Sequence, residues 1–87
     1  MPQVSVVLPT RNRAVMLRDA IRSVRAQTFA DWELIIVDDG STDETESTVR
    51  HLLSEEPRLR YLRQAHGGVS KARNTGLRAA RGRYIAF

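Results

Sequence analysis

Eighty-seven residues without a cysteine allow one small domain and exclude disulfides and thiolate metal sites. With 41% hydrophobic and 28% charged residues the composition is that of a soluble globular protein; no apolar run approaches the ~20 residues that cross a bilayer and no signal-peptide pattern is present, so a cytoplasmic setting is expected. The net charge of +4 suits nucleic acid or a phosphate-bearing small ligand, but thirteen of the fourteen cations are arginines scattered through every segment, interrupted by acids and without interleaved aromatics, which argues against a nucleic-acid surface.

Val4-Ser5-Val6-Val7-Leu8 is a branched apolar run closed by Pro9, which lacks a backbone donor, and it predicts a first strand. Thr10 to Arg13 is a polar connection in which Asn12 is placed to cap the following helix. Ala14, Leu17, Ile21 and Val24 share one helical face, with Arg18, Arg22 and Arg25 along its flank; the pattern predicts an amphipathic helix on a sheet, running to about Gln27. Phe29 and Trp32 are expected to pack across the bottom of that sheet.

Leu34 to Val37 is apolar without alternation, which suits a strand covered on both faces. It runs directly into Asp38, Asp39, Gly40, Ser41 and Thr42, so polar groups are delivered to one end of a buried strand. Ser41 and Glu44 have capping-box spacing, and a second helix is predicted from about Thr42 to Ser54, with Val49, Leu52 and Leu53 buried. Asp43, Glu44 and Glu46 then lie at the positive end of the helix dipole. Leu59 to Arg63 carries two arginines and reads as an edge strand. After the permissive loop Gln64 to Gly68, Ser70 is placed to cap a third helix to about Arg81, stopped by Gly82. Its inward residues, Ala72, Gly76 and Ala79, are small enough for close approach to a sheet. Tyr84 to Phe87 forms a fourth apolar strand.

Strands alternating with helices, joined by connections too long for hairpins, predict an α/β fold: a Rossmann-like open parallel sheet of about four strands with three helices. Thr10 to Asn12, Asp38 to Thr42 and Gln64 to Ser70 then gather at one sheet edge, where open α/β sheets bind ligands. Neither a Walker loop nor a dinucleotide fingerprint is present. Gly67-Gly68 before a helix is a weak phosphate-cradle signal. Asp38 and Asp39 point to opposite faces of an extended strand, so they are not expected to share a metal ion; His51 reads as a surface residue. A phosphoacceptor signalling domain would need further acids and a lysine at other strand ends, which are missing.

Val4 to Arg13 (VSVVLPTRNR), Gln27 to Phe29 (QTF), Trp32 to Asp43 (WELIIVDDGSTD), Gly67 to Leu77 (GGVSKARNTGL) and Gly82 to Phe87 (GRYIAF) resemble, in order and spacing, the amino-terminal half of a family 2 glycosyltransferase of the GT-A fold. The resemblance covers essentially residues 1–87. It implies a nucleotide-sugar-binding unit, usually for a UDP-linked donor, within an enzyme that transfers the sugar to an acceptor hydroxyl with inversion. It implies that Pro9, Thr10 and Asn12 line the uridine side of the pocket and that Asp39 accepts a hydrogen bond from the uracil ring, leaving Asp38 as a structural acid. Arg73 and Asn74 match the family's Ala-Arg-Asn and would face the nucleotide, and Lys71 is a candidate for the phosphates. The plainer reading of Arg73 is a salt bridge within the domain, with Asp39 as one candidate partner, and the two roles are compatible. Two positions depart from the family: Arg11 stands where an aromatic residue is common, and His66 stands where asparagine is common, keeping a donor with different geometry.

In that family an Asp-x-Asp signature follows the fourth strand and binds the divalent cation, Mn or Mg, while the catalytic base comes later still. No catalytic residue and no metal site is therefore expected within residues 1–87, and this stretch by itself is expected to bind the nucleotide at most. The competing expectation is a non-catalytic module, or a homo-oligomer, that associates through the apolar edge of the last strand.

Overall fold

The computed structural model describes residues 2–26 and 31–87. Four strands and three helices alternate in the order β1 (Val4–Thr10), α1 (Ala14–Arg25), β2 (Trp32–Asp38), α2 (Thr45–Leu53), β3 (Leu59–Arg63), α3 (Val69–Ala79) and β4 (Tyr84–Ala86). The sheet is wholly parallel with strand order β3-β2-β1-β4. The chain moves outward from β1 to β3 and then crosses back to the other side of β1. With right-handed crossovers, this reversal places α1 and α2 on one face and α3 on the other.

Strand β2 is buried at all seven positions because both faces are covered. Leu34 and Ile36 pack with Leu17 and Ile21 of α1, Val49 of α2, and Trp32 and Leu59. Ile35 and Val37 point the other way, onto Ala72 of α3. The continuous apolar run and the two-residue pleat together account for both clusters. Trp32 is buried under the Arg58 guanidinium, 3.9 Å from its ring; Phe29 lies outside the described residues.

Helix α3 lies close to the sheet. A Cβ on Gly76 would collide with Val7 Cγ1 and come within 3.3 Å of Val37, so this position needs glycine for contact. Behind the helix, the carboxylate of Glu33 joins the layers. Its Oε2 accepts the Ser5 hydroxyl and the Arg81 N–H (2.7 Å), its Oε1 accepts Arg60 (2.9 Å), and Gly82 N–H donates to Ser5 Oγ (2.7 Å).

Several local expectations give way to this packing. Strand β1 continues through Pro9 to Thr10, because β4 pairs only with Val4 to Val6 and proline is tolerated where a strand is paired on one side. Helix α3 starts at Val69, with Gly68 rather than Ser70 at its N-cap, and ends at Ala79 before an extended Ala80. Gly82 does not terminate it; its missing side chain lets the turn press against the Ser5 backbone, which a Cβ would meet at 2.5 Å. The edge position of β3 agrees with its arginines. Strand β4 is exposed at all three residues and, among the described residues, pairs only with β1.

Candidate functional site

The register sets Thr10 beside Asp38 and Asp38 beside Arg63, so the loops after β1, β2 and β3 leave the sheet at one level. Asn12 joins the first two. It adopts a left-handed backbone (φ 52°), a conformation asparagine tolerates better than most residues. Its Oδ1 accepts the N–H groups of Thr42 (2.7 Å) and Asp43 (3.2 Å), and its own N–H donates to Ser41 Oγ (2.9 Å). Asn12 therefore does not cap α1, which has no side-chain cap, and Ser41 does not cap α2. Helix α2 begins at Thr45 rather than Thr42, after a turn in which Asp43 Oδ1 accepts the N–H and hydroxyl of Thr45. The Thr45 hydroxyl, and less strongly its N–H, lower the Asp43 carboxyl from its ordinary range against the effect of burial.

The adjacent acids have separate surroundings. Asp38 is fully buried; its Oδ1 accepts Ser41 N–H (2.8 Å) and its Oδ2 accepts the Tyr61 hydroxyl. Burial, and then the bond to Asp38, push the Tyr61 phenol far above its usual range. Asp39 turns toward the loop after β3. Its Oδ1 accepts Gln64 Nε2 (2.9 Å) and Gly67 N–H (2.8 Å), and its Oδ2 accepts His66 Nδ1 (2.8 Å) and Gly68 N–H (2.9 Å). The Gln64 amide, followed by the Gly67 N–H, holds the Asp39 carboxyl far below the usual carboxylate range.

A cavity of about 290 Å³ opens between the first and third loops, lined by Pro9, Thr10, Arg11, Arg13, Asp39, His66, Gly68, Val69 and Ala72. Its polar groups and position at the carboxyl edge of the sheet single it out. A larger groove of about 830 Å³ between α1 and α2 lies on the helical face, away from these loops.

Of the residues singled out from the sequence, Pro9, Thr10, Asp39 and His66 line this cavity together. Lys71 does not line it; its side chain lies against Gly67, with Nζ 3.2 Å from where a Gly67 Cβ would stand. Asn12 binds the neighbouring turn and is not part of the wall. Arg73 and Asn74 are exposed on α3 and line no part of it; the Arg73 guanidinium stands 5.9 Å from the Phe87 ring and makes no ion pair with Asp39. The Gly67-Gly68 amides do bind an anion, but that anion is the Asp39 carboxylate. Gln64 and Arg13 were not singled out from the sequence. Gln64 lies one residue past the third strand, at the carboxyl edge, and that position is its one sequence signal. No three His, Cys, Asp or Glu side chains among the described residues converge as a metal site.

The sequence matches Glycosyl transferase family 2 over residues 5–87. It is 41% identical over 86 residues to the uncharacterized glycosyltransferase EpsJ of Bacillus subtilis, covering 99% of this chain and 25% of that protein. It is 42% identical over 89 residues to the GalNAc(5)-diNAcBac-PP-undecaprenol beta-1,3-glucosyltransferase of Campylobacter jejuni, covering 100% of this chain and 29% of that protein. Among solved structures, the mannosyltransferase PcManGT from Pyrobaculum calidifontis, in complex with GDP-Man and Mn2+, superposes with a TM-score of 0.83 at 32% identity, over 91% of this chain and 24% of that one. S. aureus TarS 1-349 in complex with UDP gives 0.86 at 29% identity, over 95% and 25%. The chain thus spans about a quarter of the length of these relatives. The family match over residues 5–87, together with the superposition of nearly the whole chain on these glycosyltransferases, means that the chain belongs to glycosyl transferase family 2.

Proposed function

We propose that this chain is the donor-binding part of an inverting glycosyltransferase that uses a nucleotide-sugar, with UDP as the nucleotide. The observation that carries this reading is the Asp39 carboxylate, held ionised at the wall of a cavity large enough for a pyrimidine ring. A carboxylate accepts only, so it selects a base that donates a ring N–H. A hydrogen bond to a charged group contributes about 1.5–3 kcal/mol, enough to discriminate bases. Pro9 and Thr10 line the same cavity, and Arg11 and Arg13, also in its lining, supply positive charge for a diphosphate.

Transfer to an acceptor hydroxyl is proposed for the whole protein. PcManGT was solved in complex with GDP-Man and Mn2+, and a divalent cation in the whole protein would supply charge to neutralise a departing diphosphate. The described residues hold no cluster for such an ion, so no step is assigned to one of them. Calorimetry tests the base reading: UDP should bind the intact protein, and Asp39→Asn should weaken it about tenfold or more. Equal affinity for UDP in wild type and Asp39→Asn would remove the assignment.

A further inference from the structure

A carboxylate offers about four lone-pair directions, and on Asp39 all four are taken: two donors on Oδ1 and two on Oδ2. A ring N–H from a base therefore has no open direction on this group, and one donor must leave for it to enter. The four donors are not equally fixed. Gly67 and Gly68 offer backbone N–H groups at the head of α3. Gln64 is anchored at both ends of its amide, since the Thr75 hydroxyl donates to its Oε1 (2.7 Å). His66 is held only through Nδ1 among the described residues, its side chain is 55% exposed, and it lines the same cavity as Asp39. Because Asp39 is ionised and can only accept, Nδ1 carries the proton in this contact.

We infer that His66 is a displaceable occupant of the base-reading carboxylate: its imidazole N–H fills the position that a nucleotide base must take, and the nucleotide enters by moving it aside. This rests on the nucleotide reading of Asp39. His66 then sets affinity by competition, and a base that offers Asp39 no donor gains nothing by displacing it. Arg11 and Arg13 line the same cavity, so the displaced imidazole moves beside cationic groups.

The test is UDP binding to the intact protein by calorimetry, paired with the imidazole nitrogen spectrum. His66→Ala should bind UDP about three- to tenfold more tightly than wild type, the reach of one exposed hydrogen bond. His66→Asn places an amide nitrogen at the same δ position, can again donate to Asp39, and should return affinity close to wild type. In wild type, saturation with UDP should shift the His66 Nδ1 resonance away from its carboxylate-bound value. Weaker binding in His66→Ala that asparagine restores, or an Nδ1 resonance unmoved at saturation, would overturn the inference and make His66 a support of the loop or a direct base contact. UDP binding that is unchanged in Asp39→Asn would instead overturn the nucleotide reading, and the displaced occupant with it.

Discussion

Asp38 and Asp39 are neighbours in sequence, yet one carboxylate is sealed beneath Tyr61 and the other faces a cavity. The difference follows from the strand pleat, which sends successive side chains to opposite faces. Removing the Tyr61 hydroxyl leaves a buried carboxylate oxygen without its donor, a loss of about 1–3 kcal/mol. Tyr61→Phe should therefore lower the urea midpoint while leaving UDP affinity near wild type, because neither Tyr61 nor Asp38 lines the cavity. A variant as stable as wild type would mean that water or another group replaces the hydroxyl. The Asp pair and the His66 departure were legible in the sequence. The fourfold coordination of Asp39 was not, since it needs Gln64, His66, Gly67 and Gly68 brought back from some 25 residues away.

At the scale of elements, the distance from α3 to the sheet is set by Gly76, and substitution there tests the packing directly. Replacing a helical glycine by alanine usually gains about 1 kcal/mol of helix propensity. Here the new methyl meets the fully buried Val7 and crowds Val37, both short branched side chains without room to retreat. Overpacking of this kind costs about 1–3 kcal/mol. Gly76→Ala should thus be destabilising overall, read as a lower thermal midpoint, and a raised midpoint would show that the helix can lift from the sheet without loss. The small inward face of this helix was readable from Ala72, Gly76 and Ala79. The helix boundaries were less so. Asn12, Ser41 and Ser70 all have cap-forming side chains, but the first two are used across the gap between loops and the third is preceded by Gly68 at the cap.

Across the whole molecule, stability should depend on a set of acids that ionise below their ordinary values. Glu56, hydrogen-bonded first by the Arg58 guanidinium and then by its backbone N–H, falls to about 2 from an ordinary 4.5. Glu33 is also lowered: burial opposes the shift, and the Ser5 hydroxyl, Arg81 N–H and Arg60 overcome it. Asp39 and Asp43 are lowered from 3.8. As pH falls, the unfolded chain takes up protons before the folded one, so these groups contribute their full stability above about pH 5 and lose it from about 4.5 down through 2. Denaturant midpoints should change little from this cause above about pH 5 and drop steeply below about pH 4.5, with a shallower drop in Glu56→Gln. A midpoint at pH 3 equal to that at pH 6 would contradict the assignment.

The alternation of strands and helices, the doubly covered β2 and the edge character of β3 were determined by sequence alone, because hydrophobic periodicity is a local property and burial of β2 leaves no alternative pattern. The resemblance, too, was carried by contiguous blocks of residues. Only the tertiary structure decided which polar groups meet. Glu33 lies in the buried strand β2, and its partners Ser5, Arg60 and Arg81 come from other parts of the chain. Gly67 and Gly68 carry only a weak phosphate-cradle signal in the sequence, and in the fold their amides are taken by Asp39. Hydrogen-bond partners across a crossover depend on register and loop closure, and neither is written in the spacing of the residues that form the bond.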